Sequence, residues 1–141
     1  MSDEYEIALV ENPESSVHGI IERGLTDFNQ QQAGDVHYRR ICFALYAPDH
    51  EIVGGILGEI HWNWLFIELL WIREDTRHHG YGHRLLVSIE EEGRRRGAQM
   101  AFLDTFSFQA PEFYKRHGYR VYGELKDFPP GHQRLYLTKE L

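Results

Sequence analysis

Gly80 and Gly82 lie one residue apart where a strand-like apolar run gives way to a charged, helix-like one, within Arg77-His78-His79-Gly80-Tyr81-Gly82. A glycine pair at such a junction lets the backbone turn tightly and leaves the first N–H groups of the helix without intrahelical partners. Those groups, at the positive end of the helix dipole, cradle an anion such as phosphate or pyrophosphate, and bare glycines let it approach the backbone closely. Two familiar nucleotide motifs are excluded. The place of a third fingerprint glycine is taken by Leu85, and no Gly-Lys-Ser/Thr of a Walker loop follows. An isolated glycine pair is more commonly an unliganded turn, so context decides.

Other reactive side chains are few. Glu68 is the one acid in the apolar run Trp64 to Ile72, in phase with Leu70 and Ile72 under two-residue alternation. Partly withdrawn from water, its carboxylate is a candidate general base; a glutamate paired with an arginine across the sheet is an equal reading, and Glu59 and His61 on the preceding strand are rivals. His79 and His83 stand one helical turn apart, but with no third ligand in evidence no metal site is expected. Cys42, in a strand-like segment, is expected to pack as a small apolar residue.

The elements that must position these residues follow from periodicity and turn residues. Glu4 to Glu11 alternates as a first strand, ended by Asn12-Pro13. Val17, Ile20, Ile21, Leu25 and Phe28 form one helical stripe, capped by Ser15 or Ser16 and ended at Ala33-Gly34. His37 to Ala47, Glu51 to Trp62 and Trp64 to Arg73 read as a three-stranded meander. After the glycine turn, Leu85, Leu86, Ile89 and Gly93 mark the buried face of a helix stopped by Gly97. Its solvent face carries the i,i+4 pairs Glu90/Arg94, Glu91/Arg95 and Glu92/Arg96. Met100 to Phe106 is a strand reached by a helical crossover from Trp64 to Arg73, which makes the two parallel neighbours. A short helix, Pro111 to Arg116, then leads to strands Tyr119 to Leu125 and Gln133 to Leu141.

The chain of 141 residues is read as one domain, 1–141, large enough for a core. A net charge of −7 argues against nucleic-acid binding and favours a cationic partner such as an amine. A single cysteine excludes an internal disulfide and points to a reducing, cytoplasmic setting. Glu68 interrupts the longest apolar run, which is too short to span a bilayer, so no membrane association is expected.

Together these features resemble the GCN5-related N-acetyltransferase (GNAT) family. Its Arg/Gln-x-x-Gly-x-Gly/Ala motif stands here as Arg77-His78-His79-Gly80-Tyr81-Gly82. A later motif stands as Ser107-Phe108-Gln109-Ala110-Pro111-Glu112-Phe113-Tyr114-Lys115-Arg116-His117-Gly118-Tyr119, with Ser107 where the family usually has asparagine. The resemblance implies a single α/β (α+β) domain with a mixed, mostly antiparallel sheet and a splayed parallel strand pair flanked by helices. It implies acetyl-CoA as cosubstrate, with the pantetheine arm against Leu70 and Ile72 and the pyrophosphate on Arg77, His78, His79, Gly80, Tyr81 and Gly82. Ser107 and Phe113 would complete the cofactor site, Tyr114 would act as acid toward the leaving thiolate, and Glu68 would act as base. The acceptor implied is a primary amine, taken here as one of a small molecule and attacked directly in a ternary complex, with Phe28 to Tyr38 and the loop at Phe128-Pro129-Pro130 walling its site. A homodimer is the family's common state. A non-catalytic CoA-binding sensor and a protein or peptide acetyltransferase are the alternatives.

Overall fold

β-branched and aromatic residues between turn residues build an antiparallel meander of β1 (Arg39–Tyr46), β2 (Ile52–His61) and β3 (Trp64–Ile72). The structure is a computed structural model and describes residues 4–14 and 16–141. The chain divides into two units, one ending at Val36 and one from His37 to Leu141.

In the first unit, α1 spans Val17–Ala33 and ends at Gly34, whose φ of 82° takes the backbone out of the helix. Its apolar stripe is not buried: Ile20, Ile21, Leu25 and Phe28 are all exposed. Ser16 occupies the N-cap without a side-chain hydrogen bond, and the alternative cap, Ser15, lies outside the described residues. The expected strand Glu4 to Glu11 does not form. Tyr5 and Ile7 are fully exposed and no residue there joins a ladder, because alternation supplies a face but not a partner strand.

The second unit continues with α2 (Tyr81–Arg95), β4 (Met100–Phe106), α3 (Pro111–Arg116), β5 (Arg120–Lys126) and β6 (Gln133–Glu140). Six strands form one sheet in the order β1-β2-β3-β4-β6-β5, with β3 and β4 the parallel pair. Leu85, Leu86, Ile89 and Gly93 of α2 face inward as expected. Leu86 and Ile89 are wholly buried against Ile56, Ile60, Leu65 and Leu103, each such side chain contributing about 1.5–3 kcal/mol. Gly58 permits this approach, since a Cβ there would lie 2.9 Å from the Ile89 side chain and 2.8 Å from the Phe66 carbonyl oxygen.

The outer face of α2 departs from the local pairing rule. Glu92 takes both Arg95 and Arg96, which hold its carboxyl down to about 2, so the pair Glu91/Arg95 is not made. Glu90 turns away from Arg94 into the interior, where it accepts from the Tyr119 hydroxyl at 2.7 Å and from Lys139 Nζ at 3.0 and 3.1 Å. Burial first, then the Glu90 charge, pushes the Tyr119 phenol far above its usual range. Cys42 is exposed on β1 rather than packed. No helix among the described residues is long and apolar enough to cross a membrane.

Candidate active site

The site originates in one extra residue on β3. Leu69 pairs with Leu57 and Ile67 with Gly58, so Glu68 stands unpaired as a bulge. Below it, Trp64 to Ile67 pair in parallel with Met100 to Leu103; above it the two strands part and the ladder ends. The bulge also resets the side-chain alternation. Leu65 and Ile67 point into the core, and after Glu68 it is Leu70 and Ile72 that return to pack against it. A cleft of about 850 Å³ opens where the strands part, lined by Ile67 to Ile72, the turn residues Thr76 to His78 and Gly80 to His83, and Asp104, Thr105 and Phe108 to Ala110, closed by Phe113, Tyr114 and Arg116.

At one end is the glycine turn. After a 3-10 turn, Glu74–Thr76, Arg77 donates from Nε to the Ile72 carbonyl at 2.8 Å, which fixes its side chain beside the end of β3. His78 and Gly80 both adopt positive φ, 66° and 81°. The first α2 bond is Arg84 N–H to the Gly80 carbonyl, at 3.1 Å, so the N–H groups of Tyr81, Gly82 and His83 precede the intrahelical ladder. These donors, with Arg77, His78 and Arg116 in the same wall, suit a phosphate. A Cβ on Gly82 would already touch Ile72 and Phe113 at 3.5 Å, so the surface there is fully used by the bare backbone.

Where β3 and β4 part, Tyr114 is 8% exposed and its ring packs edge-on against Phe113 and Tyr119. Its hydroxyl bonds to no described residue, yet no buried polar atom is left without a partner, so the oxygen must reach the open cleft. Burial pushes the phenol up to about 12, which keeps it protonated.

Carboxylates and rings gather on the opposite side of the parting strands. Glu68 faces Arg40 at 3.5 Å. Glu59 accepts from the Tyr38 hydroxyl at 2.8 Å and lies 3.1 Å from His61 Nε2. Burial works to raise the Glu59 carboxyl, but the hydrogen bonds from Tyr38 and His61 outweigh it and the net shift is downward; the same bond to Glu59 is the main cause that raises Tyr38. On β4, Asp104 takes two hydrogen bonds from Arg134, whose guanidinium lies over Phe106, Phe128 and Tyr136.

Residues 5–119 match the model of the Acetyltransferase (GNAT) family. The chain belongs to the GNAT acetyltransferase family. It is similar to the blasticidin-S acetyltransferase of Streptomyces morookaense, 40% identical over 102 residues that make up 70% of this chain and 75% of the relative. Among solved structures, an acetyltransferase from Bacillus cereus ATCC 14579 is 35% identical, covers 95% of this chain and 98% of its own, and superposes with a TM-score of 0.87. A Bacillus anthracis protein described as a streptothricin acetyltransferase, solved with acetyl coenzyme A, shares the fold at 20% identity and a TM-score of 0.64, covering 72% of this chain and 62% of its own.

Of the site residues expected for a GNAT enzyme, Glu68, Leu70, Ile72, Arg77, His78, Gly80, Tyr81, Gly82, Phe113 and Tyr114 all line the one cleft. Two do not. His79 lies beside the Tyr81 ring, 6.3 Å between centroids, and the Ser107 hydroxyl accepts from Gln133 N–H at 3.0 Å on β6. The turn after β4 is held by Gln109, whose Oε1 accepts from Phe106 N–H at 2.8 Å and the Thr105 hydroxyl at 3.0 Å. A polar side chain just before Ala110-Pro111 was the signal available for it. His83, Arg116 and Asp104 in the cleft wall were also missed; the partners of His83 and Asp104 lie 34 and 30 residues away in sequence. His83 pairs with His117 rather than with His79, and no group of three His, Cys, Asp or Glu that could hold a metal occurs among the described residues.

Proposed function

We propose that this chain is an acetyl-CoA-dependent N-acetyltransferase that acetylates the primary amine of a small molecule by direct attack in a ternary complex. The observation that carries the reading is the continuity of the cleft, from the N–H groups of the glycine turn, along the unpaired edge of β3, to the Tyr114 hydroxyl. Acetyl-CoA, when bound, supplies the activated acyl thioester. Beyond the end of the β4 ladder the backbone of Leu70 and the N–H of Ile72 face the cleft, where an amide-bearing arm pairs with them as an added strand would, while the Ile72 carbonyl is held by Arg77. Arg77 and His78 with the backbone of Gly80, Tyr81 and Gly82 receive the phosphates, with Phe113 in the same wall, while His79 stands beside the Tyr81 ring. Ser107 acts at one remove from the cofactor, joining the end of β4 to β6 through its bond from Gln133 N–H.

Tyr114 donates toward the sulfur as negative charge develops there. Its pKa of about 12 stands about 3.5 units above an ordinary thiol, roughly 5 kcal/mol against complete proton transfer, so a strong hydrogen bond to the departing thiolate is what this phenol supplies best. Glu68, beside Arg40 at the bulge, takes the proton that an ammonium acceptor must lose; Glu59, held by Tyr38 and His61, is the second carboxylate available, directly or through water. Carboxylates and rings on this side favour a cationic amine. The names of the blasticidin-S and streptothricin relatives support a small-molecule acceptor. A homodimer and a cytoplasmic setting complete the reading.

The test is thiol release from acetyl-CoA with a panel of small amines, peptides and proteins. Turnover with small cationic amines is expected. Turnover with peptides or proteins alone would overturn the acceptor class, and binding of acetyl-CoA without turnover on any amine would make the chain a sensor.

A further inference from the structure

One imidazole that lines this cleft, His83, is bonded to a second, His117, outside the lining. His83, third residue of α2, places Nδ1 at 2.7 Å from Nε2 of His117, which follows α3; His117 Nδ1 lies 2.8 Å from the Phe113 carbonyl oxygen. The carbonyl can only accept, so His117 carries a proton on Nδ1. In the neutral pair its Nε2 is therefore a lone pair, His83 donates from Nδ1, and His83 Nε2 is left bare. One added proton changes this end completely: the shared N–H···N bond survives, while His83 Nε2 becomes an N–H donor carrying positive charge. A second added proton would set two N–H groups against each other across 2.7 Å and break the pair. His83 lines the cleft together with Arg77, His78, Gly80, Gly82 and Arg116.

We propose that the His83–His117 pair is a proton-coupled ligand for the cofactor's phosphates, with His83 the contact and His117 its positioning residue. This rests on the acetyl-CoA reading above. A phosphate oxygen needs a donor, and the neutral pair offers it only a lone pair, so anion and proton bind together. The other charged or titratable groups around the pair are Arg77, His78 and His79 in the turn, Arg84 on α2, Arg116 on α3, and Glu112 and Lys115, which are paired at 3.1 Å. None of the arginines changes charge near neutrality, and His78 and His79 are the other imidazoles of the turn. The sign follows: an imidazolium gains its anionic partner in the complex, so affinity is highest at low pH and falls as pH rises through the titration of the bound pair.

Calorimetric titration with free CoA, in buffers of different ionisation enthalpy, reads both affinity and protons taken up. The native protein should take up a fraction of a proton approaching one on binding near about pH 7.5, and its affinity should fall about ten-fold between about pH 6 and about pH 8.5. His83→Gln, which keeps a neutral donor, should bind without that uptake and with a flatter pH dependence. A His78→Gln/His79→Gln double variant should bind CoA more weakly but retain the uptake per CoA bound. Binding of CoA without proton uptake, or undiminished uptake in a folded His83→Gln protein, would overturn the proposal and leave the acetyl-CoA reading standing. A native protein that binds no CoA would overturn both.

Discussion

Replacing Tyr114 by Phe removes one oxygen and leaves the ring that packs against Phe113 at 5.2 Å and Tyr119 at 5.9 Å. That oxygen bonds to no described residue, so the fold loses little: about 0.5 kcal/mol at most, or about 2 °C in Tm for a chain of this size. Catalysis should lose far more. A positioned donor to a developing thiolate is worth about 100-fold to 10,000-fold, or about 2.7–5.4 kcal/mol in the barrier. Burial also fixes the pH behaviour. With the phenol at about 12, only about one molecule in ten thousand has lost this proton at about pH 8, so Tyr114 should contribute no alkaline fall to kcat below about pH 10. The assay is steady-state thiol release by Tyr114→Phe and native protein across pH, with CoA affinity and Tm measured on the same samples. The expected pattern is a large fall in kcat, unchanged affinity and unchanged Tm. A native kcat would reduce Tyr114 to a packing residue, and a fall in Tm of more than about 5 °C would assign the loss of rate to structure.

The two turn glycines should fail in different ways. Gly80→Ala meets no atom within 4 Å but must hold φ at 81°, so it should cost about 1–2 kcal/mol in denaturant unfolding. Gly82→Val adds branches to a Cβ already in contact and should abolish acetyl-CoA binding in calorimetry while the domain remains folded. Glu68→Gln should lower turnover most at low pH, with a deficit that shrinks as the amine loses its proton unaided; a native pH–rate profile would move the base to Glu59. Glu90→Ala leaves Lys139 and Tyr119 without their shared carboxylate and should destabilise by about 3–5 kcal/mol by urea unfolding, whereas Glu91→Ala on the solvent face should change stability by under about 0.5 kcal/mol.

What the sequence disclosed best was local. Met100–Phe106 and Pro111–Arg116 formed within their expected limits, since strong turn residues flank both, and the glycine turn lies at the expected junction of β3 and α2. What it hid was tertiary. The i,i+4 rule assigned Glu90 to Arg94 because it counts neighbours on one helix, while Lys139, 49 residues away, offers a buried charge partner. Ser107 shares a motif with the cleft residues, but its hydroxyl is committed to the next strand. His83 and His117 are 34 residues apart and no spacing rule joins them. Between Glu4 and Glu11 the alternation was real and the strand was not, because a strand is a property of two chain segments. For Glu68, composition singled out an odd acid in an apolar run, but alternation put it in phase with Leu70 and Ile72, and no glycine or proline announced that the ladder skips it and breaks that phase.

That skipped residue amounts to a frame shift written into the sheet. Were residue 68 to pair in register rather than be skipped, β2 and β3 would run without interruption and every side chain of β3 beyond Ile67 would exchange sides, carrying Leu70 and Ile72 out of the core and Leu69 and Trp71 into it. The parallel ladder with β4 would then have no local reason to stop at Leu103, and the two strands could zip shut along the space now held open. Opening a binding cleft in this sheet thus takes neither an inserted loop nor a hinge; it takes a single residue of slack.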